Sequence, residues 1–172
     1  MVATTLFLSG CALTSDSNSA SQDGVGTVRI APAKRDEPIT IAGQTMSGTN
    51  LSTKTMDGII VVNAWASWCR NCIFEWKDLQ ALSRAYPNVH FLGLNESDSK
   101  SSAQAFLKSH PSEYQHIFDP DNRIFNKLPG LPSLSIPMTL VLDPKHRVAA
   151  RIMGRVDKQV LSDIITDLVT EH

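Results

Sequence analysis

The most regular feature of the chain is an unbroken β-branched run, Ile59-Ile60-Val61-Val62, which continues through Asn63 to Trp65. A strand with apolar residues at successive positions has no polar face to show to water. Residues 59–65 therefore predict a strand covered on both sides and central in its sheet. Directly afterwards the period changes: Cys72, Trp76, Leu79, Leu82 and Tyr86 recur at helical spacing until Pro87-Asn88 stops the pattern. Further on, residues 89–94 predict a strand, 101–110 a helix ended by Pro111, 117–118 a brief strand and 122–127 a helical turn or two. Residues 138–143 and 148–153 flank the turn Pro144-Lys145-His146, which predicts an antiparallel hairpin. A helix over 158–169 closes the pattern, with Val160, Leu161, Ile164, Ile165, Leu168 and Val169 as its apolar stripe and Asp157 as its N-cap. Upstream, residues 39–51 alternate apolar with polar positions and contain glycines, which predicts a short hairpin or a pair of edge strands. This order of elements implies an α/β fold, a mixed central sheet flanked by helices.

With 172 residues the chain is long enough for one well-buried domain and a short tail. A net charge of -1, without Lys/Arg clusters, argues against nucleic acid as a partner. No apolar run approaches the roughly 18 residues of a membrane-spanning helix. Leu6-Phe7-Leu8-Ser9-Gly10-Cys11 resembles a lipoprotein signal, with Cys11 as the lipidated residue. No Lys or Arg precedes Cys11 and the apolar run is short, which a clipped start would explain; the alternative is an accidental Ser-Gly-Cys in a disordered tail. The following stretch is rich in Ser, Asn, Asp and Gly and too poor in apolar residues to repay the entropy of ordering. The expected organisation is a signal segment over 1–11, a flexible tether over 12–27 and one domain over 28–172.

The other two cysteines, Cys69 and Cys72, stand at the predicted strand-to-helix junction. A disulfide spanning two residues constrains the unfolded chain little, so the pair is reactive or metal-binding and not a structural staple. At a helix N-terminus, unpaired N–H groups and the helix dipole favour negative charge, which makes Cys69 the expected nucleophile. Arg70 should push the same way. Cys72, one turn further on, is placed to attack a mixed disulfide at Cys69. Zinc would need four ligands, yet the five histidines are scattered, and covalent haem attachment would need His where Ile73 stands. Neither a metal nor another cofactor is expected. A thiol peroxidase is disfavoured as well, because Ala66 occupies the position of the Thr or Ser that precedes a peroxidatic cysteine.

The run Val61-Val62-Asn63-Ala64-Trp65-Ala66-Ser67-Trp68-Cys69-Arg70-Asn71-Cys72 resembles the active-site signature of the TlpA/ResA branch of thioredoxin-like proteins. The resemblance continues through Phe91 to Asn95, Phe118 to Asp121 and Ser135 to Asp143. It implies a thioredoxin-like fold with an N-terminal hairpin and a helix insertion over 101–110. It also implies a cis proline at Pro137 facing the cysteines, with Ile136 offering backbone to an extended substrate. Plain thioredoxins bury an Asp where this chain has Asn63; the resemblance gives the corresponding proton-transfer role to Glu75, three residues after Cys72, with a solvated helix Glu as the alternative. Trp68 is the expected substrate-facing side chain, Trp65 and Trp76 belong to the core, and Arg70-Asn71 should tune redox poise. Two features depart from the family pattern: Lys77 replaces the usual helix-kinking Pro, and no Pro lies between the cysteines.

The expectation is a monomeric extracytoplasmic thiol-disulfide oxidoreductase, anchored by lipid to the outer face of the cell membrane. As implied by the resemblance, it reduces client disulfides such as those of apocytochrome c, with electrons from a membrane thiol-disulfide transporter. An oxidase that forms disulfides in secreted proteins, and a non-redox metal carrier or chaperone, are the alternatives.

Overall fold

A computed structural model describes residues 20–21, 26–129 and 136–171. Nine strands and three α-helices occur among them: β1 (Ala20–Ser21), β2 (Thr27–Ile30), β3 (Ala42–Gln44), β4 (Asn50–Ser52), β5 (Ile60–Trp65), α1 (Arg70–Ala85), β6 (His90–Glu96), α2 (Lys100–Ser109), β7 (Gln115–Asp119), β8 (Met138–Leu142), β9 (Val148–Met153) and α3 (Lys158–Thr170). Seven strands form one mixed sheet in the order β1-β2-β9-β8-β5-β6-β7, and β3 with β4 makes a separate hairpin. The fold is thioredoxin-like, a mixed sheet with β5 central between parallel β6 and antiparallel β8.

Every residue of β5 is buried, as its β-branched run predicts. It pairs in parallel with β6 on one side and antiparallel with β8 on the other. Period-two alternation divides its side chains between two cores. Val61 packs with Leu79, Leu82, Leu161, Ile164 and Ile165 from α1 and α3, whereas Ile60, Val62 and Ala64 face Ile41, Ile117, Phe125 and Leu140. A third cluster gathers Trp65, Cys69, Cys72, Trp76, Ala103 and Phe106 where α1 and α2 meet the end of β5. All three helices thus lie on one face of the sheet. The opposite face is closed by the β3–β4 hairpin and the 3₁₀ turn at Phe125–Lys127.

Two details differ from the sequence reading. Strand β2 was not anticipated; it pairs antiparallel with β9 and extends the sheet at that edge. Within the stretch read as tether, Ala20–Ser21 pair with Ile30 and Arg29, and Thr27 is already buried in β2. The signal segment with Cys11 lies outside the described residues, as do residues 130–135. No helix among the described residues is long and apolar enough to cross a membrane.

Two polar arrangements lock the periphery. Arg35, with its side chain nearly fully buried, donates to Asp143 at 3.1 Å and to both carboxylate oxygens of Glu171 at 2.8 and 2.9 Å. Burial alone would raise the Asp143 pKa, but the N–H groups of Arg147 and the two guanidinium groups hold it below its ordinary value. Under α1 and α2, the buried Trp65 Nε1–H donates to His116 Nδ1 at 3.0 Å, and burial pushes the His116 imidazole down to about 3, so the ring is neutral. Gly93 on β6 makes room for that ring: an added Cβ would lie 1.8 Å from His116 Nδ1.

Candidate active site

Cys69 and Cys72 are joined as a disulfide, their Cα atoms 5.3 Å apart. Cys69 is the N-cap of α1: its backbone is extended, and its sulfur accepts the N–H of Cys72 at 3.2 Å. That N–H belongs to the first turn of a helix of 16 residues and is shared, donating also to the Cys69 carbonyl at 3.1 Å, as is common at helix termini. In the dithiol form the same donor and the helix dipole favour a thiolate on Cys69. Cys72 is the more deeply buried of the two, packed under α1 with Trp65 and Trp76.

The loop leading to Cys69 is held from the side. Asp98, just beyond β6, accepts the Ser67 N–H at 2.6 Å and the Ser67 hydroxyl at 2.9 Å, and also accepts from Asn95 at 3.0 Å and from the Ser99 N–H at 2.8 Å. The Trp68 indole N–H donates at 2.9 Å to the carbonyl of Ser97, whose φ is 48°. One carboxylate and one carbonyl therefore fix the residues on which Cys69 is mounted.

Glu75 is fully buried on the inner face of α1, three residues beyond Cys72, and is no solvated helix residue. Its Oε1 accepts from Asn63 Nδ2 at 2.8 Å and its Oε2 from the Val156 N–H at 2.7 Å. Asn63 spends its other amide proton on Thr139 Oγ1 at 3.1 Å. Period-two alternation explains this meeting, since Val61, Asn63 and Trp65 share the face of β5 on which α1 lies. Burial raises the Glu75 carboxyl, the two hydrogen bonds and Arg155 oppose it, and the balance leaves it at about 7. A carboxyl with that value holds or releases a proton near neutral pH.

Of the other expected site residues, Trp68, Arg70 and Asn71 adjoin the cysteines in the chain and Ile136 packs against their cluster, while Cys11 lies outside the described residues. Trp68 is largely exposed, and Trp65 and Trp76 are core. The Ile136–Pro137 bond is cis, the Pro137 carbonyl accepts the Gly154 N–H at 2.9 Å, and Ile136 packs against the cluster that contains both cysteines. Arg70 and Asn71 are exposed. The Arg70 guanidinium lies over the Phe74 ring, 5.8 Å from its centroid. With Lys77 in place of a proline, α1 runs without a break to Ala85. Asp98, Ser97 and Phe74 were not anticipated; the polar run Asn95-Glu96-Ser97-Asp98 straight after a buried strand was the available signal for the first two. No group of three or more His, Cys, Asp or Glu suited to a metal occurs among the described residues.

The arrangement suits thiol-disulfide exchange: a sulfur at a helix start, a second sulfur one turn deeper, and a buried carboxyl with a raised pKa on the same inner face of the helix. The profile of the AhpC/TSA family matches residues 35–151. The chain is 33% identical over 143 residues to the thiol:disulfide interchange protein HelX of Rhodobacter capsulatus, covering 81% of this chain and 74% of HelX. It is 28% identical over 117 residues to the thiol:disulfide interchange protein DsbE of Allochromatium vinosum, covering 66% of this chain and only 61% of that relative. Among solved structures, a DsbF homologue from Corynebacterium diphtheriae superposes with a TM-score of 0.78 at 31% identity, over 86% of this chain and 96% of that one. A secreted thiol-disulfide isomerase from Corynebacterium glutamicum gives 0.79 at 31%, over 87% and 95%. The chain belongs to the AhpC/TSA family and, within it, to the thioredoxin-like thiol:disulfide interchange proteins.

Proposed function

We propose that this protein reduces disulfides of client proteins outside the cytoplasm, with Cys69 as the attacking sulfur, Cys72 as the resolving sulfur and Glu75 as the group that takes and returns the Cys72 proton. The observation that carries the reading is Cys69 at the N-cap of α1, its sulfur accepting the Cys72 N–H at 3.2 Å, with Glu75 buried one turn beyond Cys72. Trp68, Ile136 and Pro137 form the client-facing border, with the backbone at Ile136 as the edge to which an extended client pairs. Arg70 and Asn71 set the redox poise. The client class is the disulfides of apocytochrome c, and the electrons come from a membrane thiol-disulfide transporter. The protein acts as a monomer held to the outer face of the membrane through a lipid on Cys11. The resemblance of the residue 61–72 signature to ResA-like proteins supports the client, and the Leu-Phe-Leu-Ser-Gly-Cys run supports the anchor.

Two measurements test this reading. The reduction potential should lie well below the roughly -200 mV of a folding compartment; a value nearer about -120 mV would convert the reading to an oxidase. A Cys72→Ser variant should accumulate client linked to Cys69 in cells. Recovery of apocytochrome c confirms the client, whereas an empty trap in well-expressed protein refutes the exchange role.

A further inference from the structure

Five large apolar side chains are exposed among the described residues: Trp68 at 62%, Ile73 at 39%, Phe74 at 53%, Met153 at 38% and Val169 at 57%. Their distribution is uneven. Trp68 precedes Cys69, and Ile73 and Phe74 directly follow Cys72. Met153 precedes Gly154, whose N–H is bound to the Pro137 carbonyl. Three of the five thus border the disulfide, Met153 lies at the end of β9 beside the Pro137 segment, and Val169 is at the far end of α3.

Helical geometry explains why two of them cannot be core. At about 100° per residue, Ile73 and Phe74 point away from the buried face formed by Cys72, Glu75, Trp76 and Leu79. Solvent positions in the first turns of a helix are ordinarily polar, and an apolar patch rimmed by polar groups marks an interaction surface. The rim is mainly basic, with the half-buried Asp78, one turn beyond Phe74, as its acidic member. Arg70, Lys77 and Arg155 are exposed. Two further carboxylates are turned inward: Asp98 accepts four hydrogen bonds from the loops beside it, and Glu75 is buried under Asn63 and Val156. The Arg70 guanidinium stacked on Phe74 covers part of that ring without removing it from the surface.

We infer that this collar selects its clients: it takes a locally extended protein segment in which a bulky apolar residue stands beside the reactive cysteine and the neighbouring charge is negative. The inference rests on the exchange reading above and deepens it. The surface is continuous with the disulfide that a client sulfur must reach, so any segment in reaction lies across it. An apolar side chain next to the cysteine is buried against Trp68 and Phe74, and a carboxylate beside it meets Arg70 and Lys77 on a rim where cations outnumber the one half-buried Asp78. A small hydrophilic disulfide gains neither contact.

Exchange is followed with the dithiol form of the full chain and symmetric peptide disulfides. The Cys69 thiolate displaces one peptide sulfur as thiolate and forms the mixed disulfide. The Cys72 thiolate then displaces the second from Cys69, so two electrons pass to the peptide, whose two thiolates take up the protons that the protein's thiols release. A peptide with Phe beside its cysteine and a Glu next to it should react about tenfold faster than one with Ser in place of the Phe. Changing that Glu to Lys should slow the reaction about threefold, an effect that salt weakens. In Phe74→Ser the Phe-to-Ser peptide ratio should fall to about threefold, and in a Trp68→Ser, Phe74→Ser double variant towards unity. Val169→Ser, equally exposed but remote, should keep the wild-type ratio. Equal rates for the Phe and Ser peptides, or a ratio untouched in the double variant, overturn the collar while leaving the exchange reading standing. Failure to react with any peptide disulfide overturns that reading, and the collar with it.

Discussion

Glu75 and His116 are two buried titratable groups of opposite habit, and their effects on stability oppose each other. The Glu75 carboxyl is raised from 4.5 to about 7 by burial, so the native protein holds a proton there that the unfolded chain has released; stability falls as pH rises across that window. The His116 imidazole is lowered from 6.5 to about 3 by burial, so the unfolded chain binds a proton that the native protein refuses; stability rises with pH up to about 6.5. Each slope is about 1.4 kcal/mol per pH unit where it acts. Between pH 4.5 and 6.5 the two cancel, and their joint contribution to wild-type stability stays nearly level. Glu75→Gln removes one side of the balance. The variant should gain about 2 to 3 kcal/mol over that range, read from urea midpoints of the oxidised protein at several pH values. Parallel profiles for the two proteins would show that Glu75 has no raised value.

At the scale of elements, the loop after β6 supports the loop before α1 through Asp98 and the Ser97 carbonyl. Asp98→Ala leaves the Ser67 N–H without its acceptor and the Asn95 amide with only its long bond to the Trp65 carbonyl, at a cost of about 2 kcal/mol. It should also loosen Trp68, so that the fluorescence difference between oxidised and reduced protein shrinks; an unchanged difference and an unchanged urea midpoint would show that the loop stands without it. This support was not legible in the sequence, because Asp98 and Ser67 lie 31 positions apart and no local pattern pairs them. The main elements were legible for the opposite reason. An all-apolar run of β-branched residues is its own evidence for a central strand, and the spacing of Cys72, Trp76 and Leu79 is evidence for the inner face of α1. Glu75 was half legible: its spacing from Cys72 put it on the right face, but its burial depends on Asn63 and Val156 arriving from other elements. Strand β2 escaped notice because Thr27-Val28-Arg29-Ile30 is short, follows a polar stretch and is defined by the free edge of β9. The helices, expected to flank the sheet, share one face because β5, β6 and β7 are consecutive parallel neighbours. Right-handed crossovers between strands added in one direction put α1 and α2 on the same side.

For the molecule as a whole, Arg35 ties the segment after β2 to the β8–β9 turn and to the end of α3 through Asp143 and Glu171. Arg35→Met should cost about 3 kcal/mol at neutral pH, since it strips a buried carboxylate of one of its two guanidinium partners. The sign with pH follows from the lowered Asp143 value: its stabilisation is present above the ordinary carboxyl range and is lost as acid titrates the native group. The gap between variant and wild type should therefore narrow on acidification, and a gap that stays constant in urea titrations at low pH would disconnect Arg35 from Asp143. The seat of His116 over Gly93 bears on how such a protein can change over generations. A methyl group at residue 93 would collide with the imidazole at 1.8 Å, and the imidazole is what the Trp65 indole donates to. Drift at these sites has a fixed order: the ring must shrink before the glycine can grow, and a lineage that tries the reverse loses the floor beneath its own cysteines.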